Sequence, residues 1–129
     1  DPLAPLAGLR AGQNYMRAHQ YDPAVKAFEA LIEVESYDGP TLRAQAMYWG
    51  AYARELWPVA EDNWKMRGDL MNGAYKLYRR ITFEYPDSIW AKRARGRLAD
   101  PAFADIAQRD AEERQKMIEA LEEARKNRR

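Results

Sequence analysis

The side chains that could do chemistry are few and scattered. His19 is the single histidine and the chain has no cysteine. One imidazole with no second histidine or thiolate cannot complete a typical transition-metal site. His19 lies at the predicted end of a helix beside a turn, where capping or solvent contact is its expected role. Asp22, Asp38, Asp87 and Asp100 each sit next to proline, glycine or serine. That is the setting of a carboxylate that accepts backbone N–H groups and favours a helix dipole, not of one that moves protons. Glu112 and Glu113 are adjacent in sequence, so on a helix they diverge and cannot converge on one substrate. The chain carries no Gly-rich phosphate loop, no nucleophile elbow and no His-Glu-x-x-His zinc pattern. No catalytic residue, metal ligand or cofactor is expected, and the enzyme class is set aside.

Two other groups of residues could bind rather than react. Trp49, Trp57, Trp64 and Trp90 each offer a broad apolar face and one N–H donor. Core packing is the simpler role for Trp49 and Trp90, which fall in regular helical patterns. Trp57 and Trp64 fit a core or a binding role equally. Residues 76–98 hold Lys76, Arg79, Arg80, Lys92, Arg93, Arg95 and Arg97 against Glu84 and Asp87 alone. Such an excess could hold phosphates or an acidic peptide. These cations spread over different faces of two helices, however, and a solvated surface explains them more simply.

At 129 residues, with 47% hydrophobic and 32% charged residues, the composition suits one folded core and neither a membrane span nor a disordered chain. The 21 basic residues nearly balance the 20 acidic ones, so no overall field steers nucleic acid or an anionic surface toward the protein. Missing cysteine removes disulfides and thiol chemistry but leaves the compartment open. The chain opens Asp1-Pro2-Leu3 without an initiator Met, basic n-region or long apolar run, which reads as a trimmed fragment with no visible signal or anchor.

Helical spacing organises the whole chain. Leu6, Leu9, Tyr15 and Met16 predict a first helix over about 3–19. Asp22-Pro23 reads as an N-cap followed by proline, opening a second helix with Ala24, Ala27, Phe28, Leu31 and Ile32 on one side. Tyr37-Asp38-Gly39-Pro40 stops it. A third helix starts at Pro40 or Thr41 and runs at least to Leu56, before Pro58. Between Trp57 and Met66 the pattern is weak. A fourth helix is expected over 69–85, with Leu70, Ala74, Leu77, Tyr78 and Ile81 on its buried face. Ser88 can cap a fifth helix holding Trp90, Ala91, Ala94 and Leu98. Asp100-Pro101 then repeats the cap-plus-proline signal for a last, highly charged helix.

An internal repeat is visible: residues 24–31, Ala-Val-Lys-Ala-Phe-Glu-Ala-Leu, align with residues 74–81, Ala-Tyr-Lys-Leu-Tyr-Arg-Arg-Ile. Small, aromatic and aliphatic residues recur in one order, as in helix hairpins that must stack to hide both faces. On Gly12, Tyr15, Tyr21, Ala24, Phe28 and Leu31, then Gly50, Tyr52, Ala74, Tyr78, Ile81 and Pro86, the chain resembles the tetratricopeptide repeat family. The second unit departs from that family by an insertion near 56–68, which predicts lengthened helices or a protruding loop. Tyr85-Pro86-Asp87-Ser88 followed by Trp90, Ala91 and Ala94 is similar to the bacterial cell-envelope variety of the repeat, which suggests a periplasmic or envelope location.

This resemblance implies an all-α fold: antiparallel hairpins over 1–100 stacked as a short right-handed superhelix, with a capping or interaction helix at 101–129. It also implies a protein-protein interaction scaffold whose concave groove takes a peptide or a partner protein. Carried over by alignment, the groove contacts are Gln13, Arg17, Met47, Arg54, Glu55, Lys92 and Arg95. The alternatives are nucleic-acid binding through the basic stretch 76–97, disfavoured by the near-neutral total, and self-association through the last helix. In that helix Phe103, Ile106 and Ala107 are expected to pack on the final hairpin. Met117, Ile118 and Leu121, the strong apolar residues after Ala111, are expected either to cap the stack or to meet another copy.

Overall fold

The computed structural model describes residues 4–33 and 40–128, and these form α-helices and one short 3-10 turn, with no strand among them. The protein is all-α. Helices α1 (Ala4–Arg17), α2 (Tyr21–Glu33), α3 (Pro40–Leu56), α4 (Trp64–Glu84) and α5 (Ile89–Leu98) precede the turn Pro101–Phe103 and α6 (Ala104–Asn127). The predicted stop through Asp38 and Gly39 lies outside the described residues. The chain divides into two compact units, Asp1–Leu98 and Ala99–Arg129.

In the first unit each helix packs on the next, and α3 also touches α1 and α5. Helices α1, α3 and α5 therefore form one layer, and α2 and α4 fill the gaps between them. Close approach depends on small residues. A Cβ on Gly12 would lie 2.5 Å from Cε1 of Phe28, and one on Gly50 would lie 3.4 Å from Cβ of Phe28. Both α1 and α3 thus close around one ring. Phe28 and Tyr78, the aromatic positions of the internal repeat, are wholly buried, as are Ala24 and Ala74 one turn earlier. Burying a ring of this size is worth roughly 1.5–3 kcal/mol.

Local signals explain the helix ends. The α1–α2 turn is a Schellman motif: the N–H of Gln20 donates to the Tyr15 carbonyl at 2.8 Å and that of His19 to Met16 at 2.9 Å. His19 takes the left-handed conformation, φ 58°. That tight exit shifts the start of α2 upstream of its expected place. The Gln20 carbonyl accepts from Ala24 at 3.2 Å, so Asp22 is not the N-cap but lies within the first turn, 3.1 Å from Lys26. Ser88 does cap α5, its Oγ accepting from Ala91 at 3.0 Å. Asp100 caps the following turn through Ala102 at 2.8 Å.

The inserted stretch resolves into a short connection and a longer helix. Asn63 accepts from the Met66 N–H at 3.2 Å and starts α4 at Trp64, one turn before the expected Asp69. Asparagine is a strong N-cap, but no proline follows it and Trp64 remains 79% exposed, so no apolar stripe marked this turn. Arg67 donates to the carbonyls of Glu55, at 3.4 Å, and Trp57, at 3.0 Å, closing the end of α3. No described helix is long and apolar enough to cross a membrane.

In the second unit Phe103 is buried, and Ile106 and Ala107 are half-buried. Every residue from 111 to 128 is exposed.

Candidate peptide-binding surface

Side chains from α1, α3 and α5 meet on the face that these three helices share. Tyr48 is the hub: its ring centroid lies 5.6 Å from Trp49, 6.2 Å from Tyr52, 5.5 Å from Trp90 and 5.7 Å from Tyr78. Tyr48, Trp49, Tyr52 and Trp90 are all half-buried, so each packs one side and shows another. Aromatic pairs at these separations stabilise one another beyond their area and hold their shape. Burial raises the Tyr48 phenol above its ordinary pKa, against the opposing pull of Arg97, and it stays a neutral donor through physiological pH.

Beside this shelf, Gln13, Met16, Arg17 and Trp49 enclose a hollow of about 290 Å³. Small-molecule pockets run roughly 300–1,000 Å³, so the hollow suits one anchoring side chain better than a whole metabolite. Trp49 also carries an indole N–H that is buried without a hydrogen-bond partner. Cations rim the shelf. The Arg93 guanidinium lies 4.7 Å above the Trp90 ring, and Arg17 donates to the Asn14 amide oxygen at 3.0 Å. Neither Arg17 nor Arg93 has a carboxylate partner among the described residues.

Under the shelf a polar network ties three helices together. Glu55, with only 8% of its side chain exposed, accepts from the Tyr78 hydroxyl at 2.5 Å and from Arg97 Nε at 3.1 Å. It also pairs with a second guanidinium nitrogen of Arg97. Burial is the first cause of the strongly raised Tyr78 pKa, and the bond to Glu55 adds to it. Tyr78 therefore remains a hydrogen-bond donor at any working pH.

Residues predicted as groove contacts separate on this geometry. Gln13 and Arg17 line the hollow. Glu55 faces the same side but is spent on Tyr78 and Arg97. Lys92 and Arg95 are exposed on α5, and Arg95 reaches the Pro86 carbonyl at 3.5 Å. Met47 has no exposed surface and is a core residue, because its position on α3 points away from the shared face. Arg54 also points away. It donates to the Gly50 carbonyl at 2.9 Å and to Glu29 at 2.5 Å, and desolvation lowers its pKa while Glu29 opposes that shift. In that position it borders a different, shallow hollow with Lys26, Glu29, Leu77 and Arg80.

Sequence reasoning missed Tyr48, Tyr52, Trp90 and Arg93 as members of one surface. Helical spacing placed Tyr52 and Trp90 among the packed positions and Arg93 in a solvated basic stretch, and only the contact of α3 with α5 shows that they share an open edge with Tyr48. Of the basic stretch, Arg97 is held by Glu55 and Arg80 by Glu84 at 2.9 Å, while Lys76, Arg79, Lys92, Arg93 and Arg95 are exposed on two helices. Among the described residues no group of three or more histidine, cysteine or acidic side chains could hold a metal ion. No family model, curated protein or solved structure matches the chain.

Proposed function

We propose that residues 4–98 form a tetratricopeptide-type interaction scaffold that binds an acidic peptide carrying an aromatic or aliphatic anchor. The observation that carries this reading is the half-exposed shelf of Tyr48, Trp49, Tyr52 and Trp90, beside a side-chain-sized hollow and flanked by Arg17 and Arg93, which have no carboxylate partner among the described residues. An aromatic surface with one pocket supplies apolar contact at little conformational cost, and arginine orients carboxylates through paired N–H bonds. The packing order supports the tetratricopeptide assignment, since α1, α3 and α5 share a layer as the first helices of successive hairpins do in that family. Tyr85-Pro86-Asp87-Ser88, with Ser88 capping α5, supports the bacterial cell-envelope variety.

The test is an acidic peptide array, screened by fluorescence polarisation at low and physiological salt. Peptides with an aromatic or large aliphatic residue near two carboxylates are expected to bind, and Arg17→Glu with Arg93→Glu to weaken them at least about tenfold, a 1.4 kcal/mol effect. Equal binding by the folded double variant removes the shelf from the interaction. Single-stranded RNA and DNA serve as competing probes, and preference for them over every peptide overturns the peptide reading.

A further inference from the structure

Between Trp57 and Met66, where apolar spacing is weak, the chain forms a turn held from both sides. The Asn63 N–H donates to the Ala60 carbonyl at 2.9 Å, and the Asn63 side chain caps α4 at Met66. Arg67 reaches back to the carbonyls of Glu55 and Trp57. These bonds hold Glu61 and Asp62 at the tip of the turn and Trp64 at the start of α4, all three exposed. Trp64 is 79% exposed and has no ring contact among the described residues. Tryptophan is enriched among the anchors of protein interfaces, because its broad apolar face gains most from being covered.

The charge presented with it is acidic. Residues 58–69 hold Glu61, Asp62 and Asp69 against Lys65 and Arg67, and Arg67 is turned inward to the two carbonyls. Neither Glu61 nor Asp62 has an ion-pair partner among the described residues. The turn therefore places two carboxylates just ahead of an uncovered indole, which is the ligand chemistry proposed above for the shelf.

The shelf carries the opposite charge. Glu55 is the only acidic residue on α1, α3 and α5, and each of these helices carries arginine. Arg43, Arg54 and Arg97 are paired with Glu84, Glu29 and Glu55. Arg17 and Arg93 are exposed and have no carboxylate partner among the described residues. Arg17 also borders the hollow of about 290 Å³ beside Gln13, Met16 and Trp49. Within one chain the two halves do not meet, since Trp64 is fixed at the start of α4 and lines neither the hollow nor the aromatic shelf.

We propose that the turn from Glu61 to Trp64 docks on the shelf of a second copy of this chain, with Trp64 in the hollow and its two carboxylates against Arg17 at the rim. Arg93, Lys92 and Arg95 on α5 add to the field that draws the turn in. The inference rests on the shelf being a site for acidic peptides with an apolar anchor, and it names the partner. Turn and shelf are different patches of one surface, so the contact is heterologous and joins copies head to tail. Its charge pairs lie at the rim, which makes it dependent on ionic strength.

Sedimentation equilibrium of the full chain tests the contact. At low salt the wild-type mass is expected to rise above that of one chain as concentration increases, and added salt should lower it. Trp64→Ala should weaken association at least about thirtyfold, as loss of a central anchor does, while binding acidic peptides of the array as before. The decisive mixture combines Trp64→Ala chains, whose shelf is intact, with Arg17→Glu, Arg93→Glu chains, whose turn is intact. Each should be monomeric alone, and together they should form a one-to-one complex that grows no further, because a single turn and shelf remain to pair. Association that survives Trp64→Ala overturns the proposal, as does a mixture that stays monomeric where the wild type associates. Wild-type chains that stay single at the highest concentration, while the shelf still binds array peptides, overturn the proposal and leave the shelf reading standing. If the shelf binds no array peptide and the wild type stays single, both fall.

Discussion

His19 holds a backbone conformation that L-residues other than glycine and asparagine seldom adopt. Its φ of 58° is what the Schellman turn between α1 and α2 requires, and a side chain there costs on the order of 1 kcal/mol. His19→Gly should therefore raise stability by about 0.5–1 kcal/mol, seen as a higher urea midpoint with an unchanged slope. The contact it gives up, His19 Nδ1 to the Tyr21 hydroxyl at 3.2 Å, is exposed and contributes little. Glu55 presents the opposite case. Its carboxylate serves Tyr78 and Arg97 from two other helices, so Glu55→Ala removes a buried acceptor from both. A loss of about 2–3 kcal/mol is expected in chemical denaturation. Tyr78→Phe should cost less, since Arg97 still satisfies Glu55. Alignment nominated Glu55 as a groove contact, and its inward bonds to Tyr78 and Arg97 were not readable from the sequence. Nothing in the local sequence says that Tyr78, more than twenty positions away, will point its hydroxyl there.

At the scale of the helix, two kinds of glycine can be told apart. Gly12 is opposed by three ring atoms of Phe28 at 2.5–2.9 Å, whereas nothing lies within 4 Å of where a Cβ would stand on Gly68. The ring of Phe28 is fully enclosed and cannot swing aside. Gly12→Ala should then lower stability by roughly 1–2 kcal/mol, because overpacking outweighs the gain in helix propensity. Gly68→Ala on α4 should raise it by about 0.5–1 kcal/mol, for only the propensity term acts. Thermal melts of the two variants side by side check both signs. Gly12 was singled out in the sequence with Phe28 as one of a series of small and aromatic positions, but that Phe28 lies against it is a tertiary fact. Apolar spacing led to the expectation that α4 begins at Asp69. That start failed because Asn63 caps a turn with no apolar periodicity to announce it.

Across the first unit, Arg43 joins three helices. It donates to the Ile32 carbonyl of α2 at 2.8 Å, to Glu84 of α4 at 2.8 Å and to the Tyr85 hydroxyl at 3.0 Å. The bond to Tyr85 is the main reason its own pKa is raised. Burial alone would raise the Glu84 carboxyl, but hydrogen bonds from Arg80 and Arg43 outweigh it and hold the group below the ordinary glutamate value. A carboxylate lowered on folding stabilises the native state fully above its unfolded pKa and loses that contribution as the pH falls through the folded one. Stability should accordingly fall as the pH drops from about 5 toward 3. Glu84→Gln should be less stable at neutral pH and should show a shallower acid limb in pH-dependent urea denaturation. An unchanged acid limb would mean that Glu84 is not held below its ordinary value.

The sequence by itself determined the all-α class, the two aligned hairpin segments and the caps at Ser88 and Asp100. Each of these follows from interactions within one or two turns: apolar spacing, proline geometry and side chains that bond nearby N–H groups. Which faces remain open was decided by tertiary structure, because that depends on how α3 packs between α1 and α5. Met47 and Tyr48 are neighbours on one helix, and a rotation of about 100° between them puts one in the core and the other on the aromatic shelf. Arg54 and Glu55 divide in the same way, toward Glu29 on one side and toward Tyr78 and Arg97 on the other. Periodicity identifies a buried stripe, but its edges are set by the neighbouring helix, and the candidate surface lies along those edges.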